Sequence, residues 1–304
     1  VDSLILSQKS KLNQYSISQK FELCFYAILF SSSTNRSSLI SVSQSKLKPY
    51  SLEYNLLSAF ENCLNDKEIE SLVYRNLQQN SGNLKTADQK AIFSLVLAHH
   101  KSFTLDKAGS EKFLIDALKH AKRARLNLIT SFVFKYISNF FLKQEAYEKA
   151  ILYNQKGLDL ASKEKRRFCE AYHIFELGSI QLKINNYIEA RGYFNNALTK
   201  VLELKAKYLE GKILGSLGKS YEKTVQTKKA INYYQKALIC FYIIEDYSGV
   251  ATVHKDLGKS YFLNKNLNLA ERNYNLSESY LEEFDDQVQL AELFHYQAEL
   301  SLEA

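Results

Sequence analysis

The segments 217–221 and 257–261 both read LGKSY, and GKS closes the phosphate-binding loop of many nucleotide hydrolases. That loop also needs a glycine five residues before the second glycine. Ile213 and Val253 stand there, so the phosphate-loop chemistry fails at both copies. His99 and His100 are adjacent, and neighbouring helical side chains diverge by about 100°, so they do not share a metal-binding face. No HExxH, nucleophile elbow, Ser/His/Asp order or glycine-rich dinucleotide loop is present. Cys24, Cys63, Cys169 and Cys240 are scattered without a CxxC and read as reduced thiols, which favours a reducing, cytoplasmic compartment. The expectation is a non-enzymatic chain with no catalytic residues, cofactor or metal. Two basic clusters, KHAKRAR at 119–125 and KEKRR at 163–167, read as solvated surface, with an acidic partner or a membrane headgroup as the alternative.

The elements that carry these residues are helical by composition. Of 304 residues, one is Pro and ten are Gly, too few for the many turns of a sandwich or barrel. Hydrophobic residues make up 46% and charged residues 24%, an ordinary folded balance. The net charge of +7 comes from interspersed Lys+Arg (40) and Asp+Glu (33). No basic stripe dominates, so direct nucleic-acid contact is not expected. The longest apolar run near the start, 23–30, is far too short for a membrane span, and no signal peptide is visible.

The chain repeats itself. Leu177 with Gly178, Leu217 with Gly218 and Leu257 with Gly258 recur every 40 residues. Ala190, Ala230 and Ala270 follow; then Phe194, Tyr234 and Tyr274; then Ala197, Ala237 and Ser277. A weaker copy runs through Ile137, Ser138, Phe141, Tyr147, Ala150, Asn154 and Gly157, and a fainter one through Leu97, Ala98 and Ala117. Phe294, Ala298 and Ser301 begin another copy. Repeats are therefore expected near 91, 131, 171, 211, 251 and 291, over 91–304. Each reads as two antiparallel helices. The glycine admits a close partner helix, and aromatics fill the space between neighbouring units. Such pairs must stack to bury their apolar faces. The segment 1–90 is less regular: 21–30 and 52–64 read as helices, and 31–45, with eight serines, reads as a loop. It is expected to be two divergent capping pairs or a distinct helical module, without a helix-turn-helix.

The pattern L-G-x2-Y followed by A-x3-F/Y-x2-A resembles the tetratricopeptide repeat (TPR) superfamily, in its long 40-residue form. That form is similar to bacterial peptide-pheromone receptors, Rap-type regulators, sensor domains of signalling proteins and spindle-orientation adaptors. The resemblance implies an all-α fold: a right-handed α-solenoid of antiparallel helix pairs with a concave groove lined by the first helix of each pair. It also implies which residues face that groove. They include Lys135 and Asn139, Tyr172, Lys212 and Lys219, and Lys255 and Lys259. The central groove is expected to be largely positive, with lysines and asparagine taking the carboxylates and backbone of an extended peptide. Lys135, Asn139 and Lys212 coincide with positions of the carboxylate clamp of chaperone-binding TPRs. Glu176 and Ser216 occupy the other two, where Asn and Arg are usual, which argues against a chaperone-tail clamp.

The resemblance thus implies a protein- or peptide-binding scaffold, the sensor or adaptor domain of a bacterial regulatory protein. The Lys/Asn/Ile/Tyr-rich composition agrees with a bacterial source. The alternatives are a Rap-like regulator acting on a response regulator through its N-terminal helices, and a structural homo-oligomer joined through an apolar edge near Phe294 and Leu300. The start VDSL, the absence of Met and the stop within a repeat suggest an excised domain, which leaves an extracytoplasmic sensor domain of a membrane-anchored regulator open as a second location.

Overall fold

The computed structural model describes residues 71–283 and 287–303, together with Asn55, Leu56, Ser58, Ala59 and Ile69. The expected helix at 21–30, the serine-rich loop, Cys24, Cys63 and most of 52–64 lie outside the described residues. The chain is all-α, an α-solenoid of helix hairpins, and no strand occurs among the described residues. It divides into two compact units, 1–173 and 174–304.

In the first unit, the short α1 (Ser71–Gln79) buries Val73 and Leu77. A 3-10 turn, Ser81–Asn83, leads to α2 (Ala87–Phe103), which opens with a capping box between Thr86 and Gln89. The hairpins are α2 with α3 (Lys107–Arg123) and α4 (Asn127–Lys143) with α5 (Tyr147–Lys163). The division between the units falls within α6 (Arg167–Lys183). The second unit continues with α7 (Tyr187–Leu204), then α8 (Lys207–Glu222) with α9 (Thr227–Ile243), α10 (Tyr247–Leu263) with α11 (Leu267–Glu283), and α12 (Gln287–Glu303). The even-numbered helices from α2 onward are called A helices, and the odd-numbered from α3 onward B helices.

From α2 onward a helix begins every twenty residues. Most helices have 17 residues, about 25 Å of length. One backbone device sets this spacing. Leu105, Arg125, Glu145, Lys165, Asn185, Lys205, Val225, Glu245 and Lys265 all adopt the left-handed conformation, one in each connection from α2 to α11. After α4, the Ala146 N–H donates to the Phe141 carbonyl at 3.0 Å and the Glu145 N–H to the Leu142 carbonyl at 3.1 Å. This is a Schellman motif built without glycine. Its last residue is also the N-cap of the next helix. Asp106 and Asp246 use their carboxylates there, accepting from the Gly109 and Gly249 N–H.

The hairpins close by a small-against-large contact. A Cβ on Gly178, Gly218 or Gly258 would meet the ring of Phe194, Tyr234 or Tyr274 at 2.7, 2.6 or 2.4 Å. The three rings are essentially fully buried. They lie against the glycine of their own hairpin, not only between neighbouring units as the repeat pattern suggested. Where the glycine position changes, so does the ring position. Ala98 matches Leu114 in the α2–α3 hairpin, and Ser138 matches Asn154 in the α4–α5 hairpin. The Ser138 hydroxyl donates to the Ala150 carbonyl at 2.8 Å, and the Ser110 hydroxyl to Ala98 at 3.0 Å. Both bonds tie the end of an A helix to the start of its B helix, which fixes the antiparallel sense.

Two outcomes test this packing. Gly218→Ala overpacks the Tyr234 ring and lowers stability by about 1–3 kcal/mol in chemical denaturation. Adding Tyr234→Leu, the natural combination of the α2–α3 hairpin, recovers part of that loss. Val225, a β-branched residue held at φ 59, is strained, so Val225→Gly raises the melting temperature, by about 1 kcal/mol of stability.

Candidate functional site

The A helices of the second unit are joined side by side by ion pairs, and the expected groove lysines make most of them. Lys219 on α8 reaches Asp256 on α10 at 3.3 Å. Lys259 on α10 reaches back to Glu222 on α8 at 3.0 Å. Lys255 on α10 reaches forward to Glu292 on α12 at 2.5 Å. The expected positive wall is therefore an alternation of lysines and carboxylates. Lys255 is buried rather than groove-exposed.

Glu222 is the hub of this alternation. Its carboxylate also accepts from the Ser260 hydroxyl at 2.9 Å and, more weakly, from the Tyr234 hydroxyl at 3.5 Å. It thus joins the glycine-packed ring of one hairpin to the second LGKSY segment. Ser220 of the first LGKSY instead donates to the Tyr187 carbonyl at 3.2 Å and receives Arg191, whose guanidinium lies 4.8 Å from the Tyr221 ring. The LGKSY copies are thus structural. Burial pushes the Asp256 carboxyl upward against the pull of Lys219. The Lys255 hydrogen bond holds Glu292 below the ordinary carboxylate range.

Lys212 is held differently. It is exposed on α8, lies 5.5 Å from the Tyr208 ring and makes no carboxylate contact among the described residues. Tyr208 first, then Glu176 and Asp246, pull its pKa upward against desolvation, so it stays charged. The first unit has a related arrangement. Lys135 lies 4.7 Å from the Tyr136 ring and 5.7 Å from the Tyr172 ring, and Asn139 is half-buried one turn further along α4. The structure thus brings Lys135 together with Tyr172, and Lys219 together with Lys255 and Lys259.

Beneath Lys135 is a buried polar cluster that the motif search missed. His173 Nδ1 lies 2.7 Å from Asn154 Oδ1, and its Nε2 lies 2.8 Å from the Ser131 hydroxyl. The Asn154 amide also donates to the His173 carbonyl at 2.8 Å. Asn154 Oδ1 can only accept, so Nδ1 carries the proton and Nε2 accepts from Ser131. The ring lies over Gly157, where a Cβ would meet it at 2.3 Å. Burial, with Lys135 adding to it, pushes the imidazole down to about 3. The signal was in the repeat: Ser and Asn replace Gly and aromatic only in this hairpin. His254 is likewise buried, with Nδ1 3.0 Å from Asn273 Oδ1. Among the described residues no cluster of His, Cys, Asp and Glu is arranged to hold a metal, and no helix is long and apolar enough to cross a membrane.

No family model and no curated protein matches the sequence. Solved structures do resemble the fold. A Rap protein complexed with competence and sporulation factor aligns with TM-score 0.64 and 12% identity, over 96% of this chain and 80% of that one. The Rap conjugation gene regulator of plasmid pLS20, complexed with the Phr* peptide, aligns with TM-score 0.57 and 15% identity, over 99% and 78%. A signal-transduction ATPase from Pyrococcus horikoshii with a tetratricopeptide repeat sensor aligns with TM-score 0.65 and 16% identity, over 92% of this chain and 45% of that one. The fold is that of the tetratricopeptide-repeat proteins. In this fold the small-residue positions and their buried rings close each hairpin, and the Lys–carboxylate alternation links the A helices of the second unit.

The unfolded imidazole of His173 titrates near 6.5 and the folded one near 3, so between these values the unfolded chain takes up the extra proton. Stability contributed by the first unit is therefore complete above about pH 6.5 and falls as the pH drops, by up to about 1.4 kcal/mol per pH unit. Denaturation series at several pH values check this, and His173→Gln flattens the dependence. In the second unit, Glu222→Gln costs about 2 kcal/mol, and a double-mutant cycle with Ser260→Ala shows coupling between the two.

Proposed function

We propose that this TPR array is a non-enzymatic scaffold that binds an extended peptide or protein segment along its A helices. It would serve as the sensor or adaptor part of a bacterial regulatory protein. In this reading 91–304 is the ligand-binding array and 1–90 its divergent N-terminal helical repeats or capping module. The observation that carries the reading is Lys212. In a face where neighbouring lysines are taken up by carboxylates, this cation is exposed, flanked by an aromatic ring and available to a ligand carboxylate. Lys135, half-buried between Tyr136 and Tyr172, also sets a cation beside aromatic faces in the first unit. A cation beside aromatic faces suits a peptide carboxylate next to an apolar side chain. The likeness of fold to Rap proteins solved with peptides supports the same reading.

Lys219, Lys255 and Lys259 then have a second role in this proposal. They hold the A helices at the spacing the ligand spans, while Asn139 and Tyr172 contact the peptide. The test is an unbiased peptide-display selection on the purified chain. The expected result is enrichment of sequences containing Asp or Glu beside an apolar residue. Lys212→Glu and Lys135→Glu each weaken the binding of an enriched peptide by about tenfold, one factor of ten being about 1.4 kcal/mol. No enrichment, or enrichment indifferent to both substitutions, would end the reading.

A further inference from the structure

The B helices α3, α5, α7, α9 and α11 expose the same three positions in their last two turns. On α3 these are Lys119, Lys122 and Arg123, and on α5 Asp159, Ser162 and Lys163. On α7 they are Thr199, Leu202 and Glu203, and on α11 Ser279, Glu282 and Glu283. On α9 they are Ile239, Tyr242 and Ile243, exposed by 59, 42 and 59%. Only on α9 do all three carry large apolar or aromatic side chains. α9 has one B helix before it, α7, and another after it, α11, so the register of the repeat sets this exposure.

The aromatic part of the patch is held in place. Tyr247, in the first turn of α10, adds a partly exposed ring that lies 5.7 Å from the Tyr280 ring of α11 and nearly parallel to it. Asn273 Oδ1 accepts from His254 Nδ1 at 3.0 Å, which leaves Nε2 to accept from the Tyr242 hydroxyl at 3.3 Å. The Tyr280 hydroxyl lies 3.5 Å from that of Tyr242. Rings already fixed lose little side-chain freedom when a partner covers them. Tyrosine is also enriched where partner proteins bind.

The charge around the patch points to what covers it. No lysine or arginine occurs from 237 to 254, and Lys236, one turn before Ile239, lies over the Tyr233 ring. Beyond Ile243 come Glu245 and Asp246, and just beyond Tyr280 come Glu282 and Glu283. A helix C-terminus is itself partly negative, so bases are favourable there and acids are not. α3 and α5 follow that rule with His120, Lys122, Arg123 and Lys163, whereas α9 and α11 have no base in the last turn. The acids give their own helices no benefit and complement a cation from outside. We propose that Ile239, Tyr242, Ile243 and Tyr247 form a docking surface for a basic amphipathic helix of a partner protein. Its apolar residues cover the isoleucines, and its arginines or lysines reach the tyrosine faces and the acids at the end of α9. This surface lies on the B helices and does not depend on the peptide reading of the A helices.

A display selection of peptides patterned as amphipathic helices tests this, run on the chain carrying Lys135→Glu and Lys212→Glu. With the A-helix lysines reversed, the fate of the acidic-peptide reading has no bearing on the outcome. The expected result is enrichment of apolar residues at three- and four-residue spacing beside arginine or lysine. Ile239→Ser with Ile243→Ser weakens binding of an enriched synthetic peptide by about tenfold or more. Ile115→Ser with Leu152→Ser, at exposed apolar positions of α3 and α5, leaves it unchanged. Glu245→Lys with Glu282→Lys weakens it too, and reduces its sensitivity to salt. Lysine already occupies the left-handed turn position of Glu245 at Lys165, Lys205 and Lys265, so that turn is kept. Circular dichroism and melting show that each variant is folded. Absence of basic sequences from the selection, or basic peptides indifferent to the isoleucine pair or to the acid pair, overturns the proposal. So does sedimentation in which the peptide-free chain dimerises through the same two isoleucines, because the occupant is then a second copy.

Discussion

The close approach of each A helix to its B helix governs this molecule. A glycine, alanine or serine at one position of helix A lets the backbone of helix B come near, and a buried side chain from helix B fills the space that remains. The contact has little tolerance. A single methylene at Gly258 would enter the Tyr274 ring at 2.4 Å. Close-packed interiors respond to such changes with strain rather than smooth relaxation. The repeat therefore varies in matched pairs: glycine with an aromatic ring, alanine with leucine, serine with asparagine.

That contact recurs only if every helix enters the array in the same phase, which the connections provide. Each connection from α2 to α11 turns through one left-handed residue, and the residue that ends one helix caps the next. Leucine and valine accept that conformation at Leu105 and Val225, at the cost of local strain. The strain is tolerated because the flanking hydrogen bonds and the hairpin packing over-determine the turn. Regular spacing then aligns the same positions of successive A helices, so that charges far apart in sequence meet: Lys219 with Asp256, Lys255 with Glu292.

Much of the fold was legible in the sequence because its cause is periodic. The recurrence of Gly178, Gly218 and Gly258, with rings sixteen residues later, follows directly from the hairpin contact. The site was legible only in part. Spacing puts lysines on the A helices but does not reveal what stands opposite them, since a partner on the next A helix is about 37 residues away for Lys219 and Asp256. The expected positive wall became a paired network for this reason. The His173 cluster was hidden for a related one: its three members lie on three different helices, and only the departure of Ser138 and Asn154 from the pattern marked the hairpin as unusual.

The sequence by itself determined the helical class, the 40-residue period and the small and aromatic positions that close each hairpin, because these depend on contacts within one repeat. The tertiary structure alone decided which carboxylates the lysines of the second unit meet and how a histidine is held neutral in the core. Those outcomes depend on groups brought together from different repeats, and the pairing of such groups is written in space rather than in spacing.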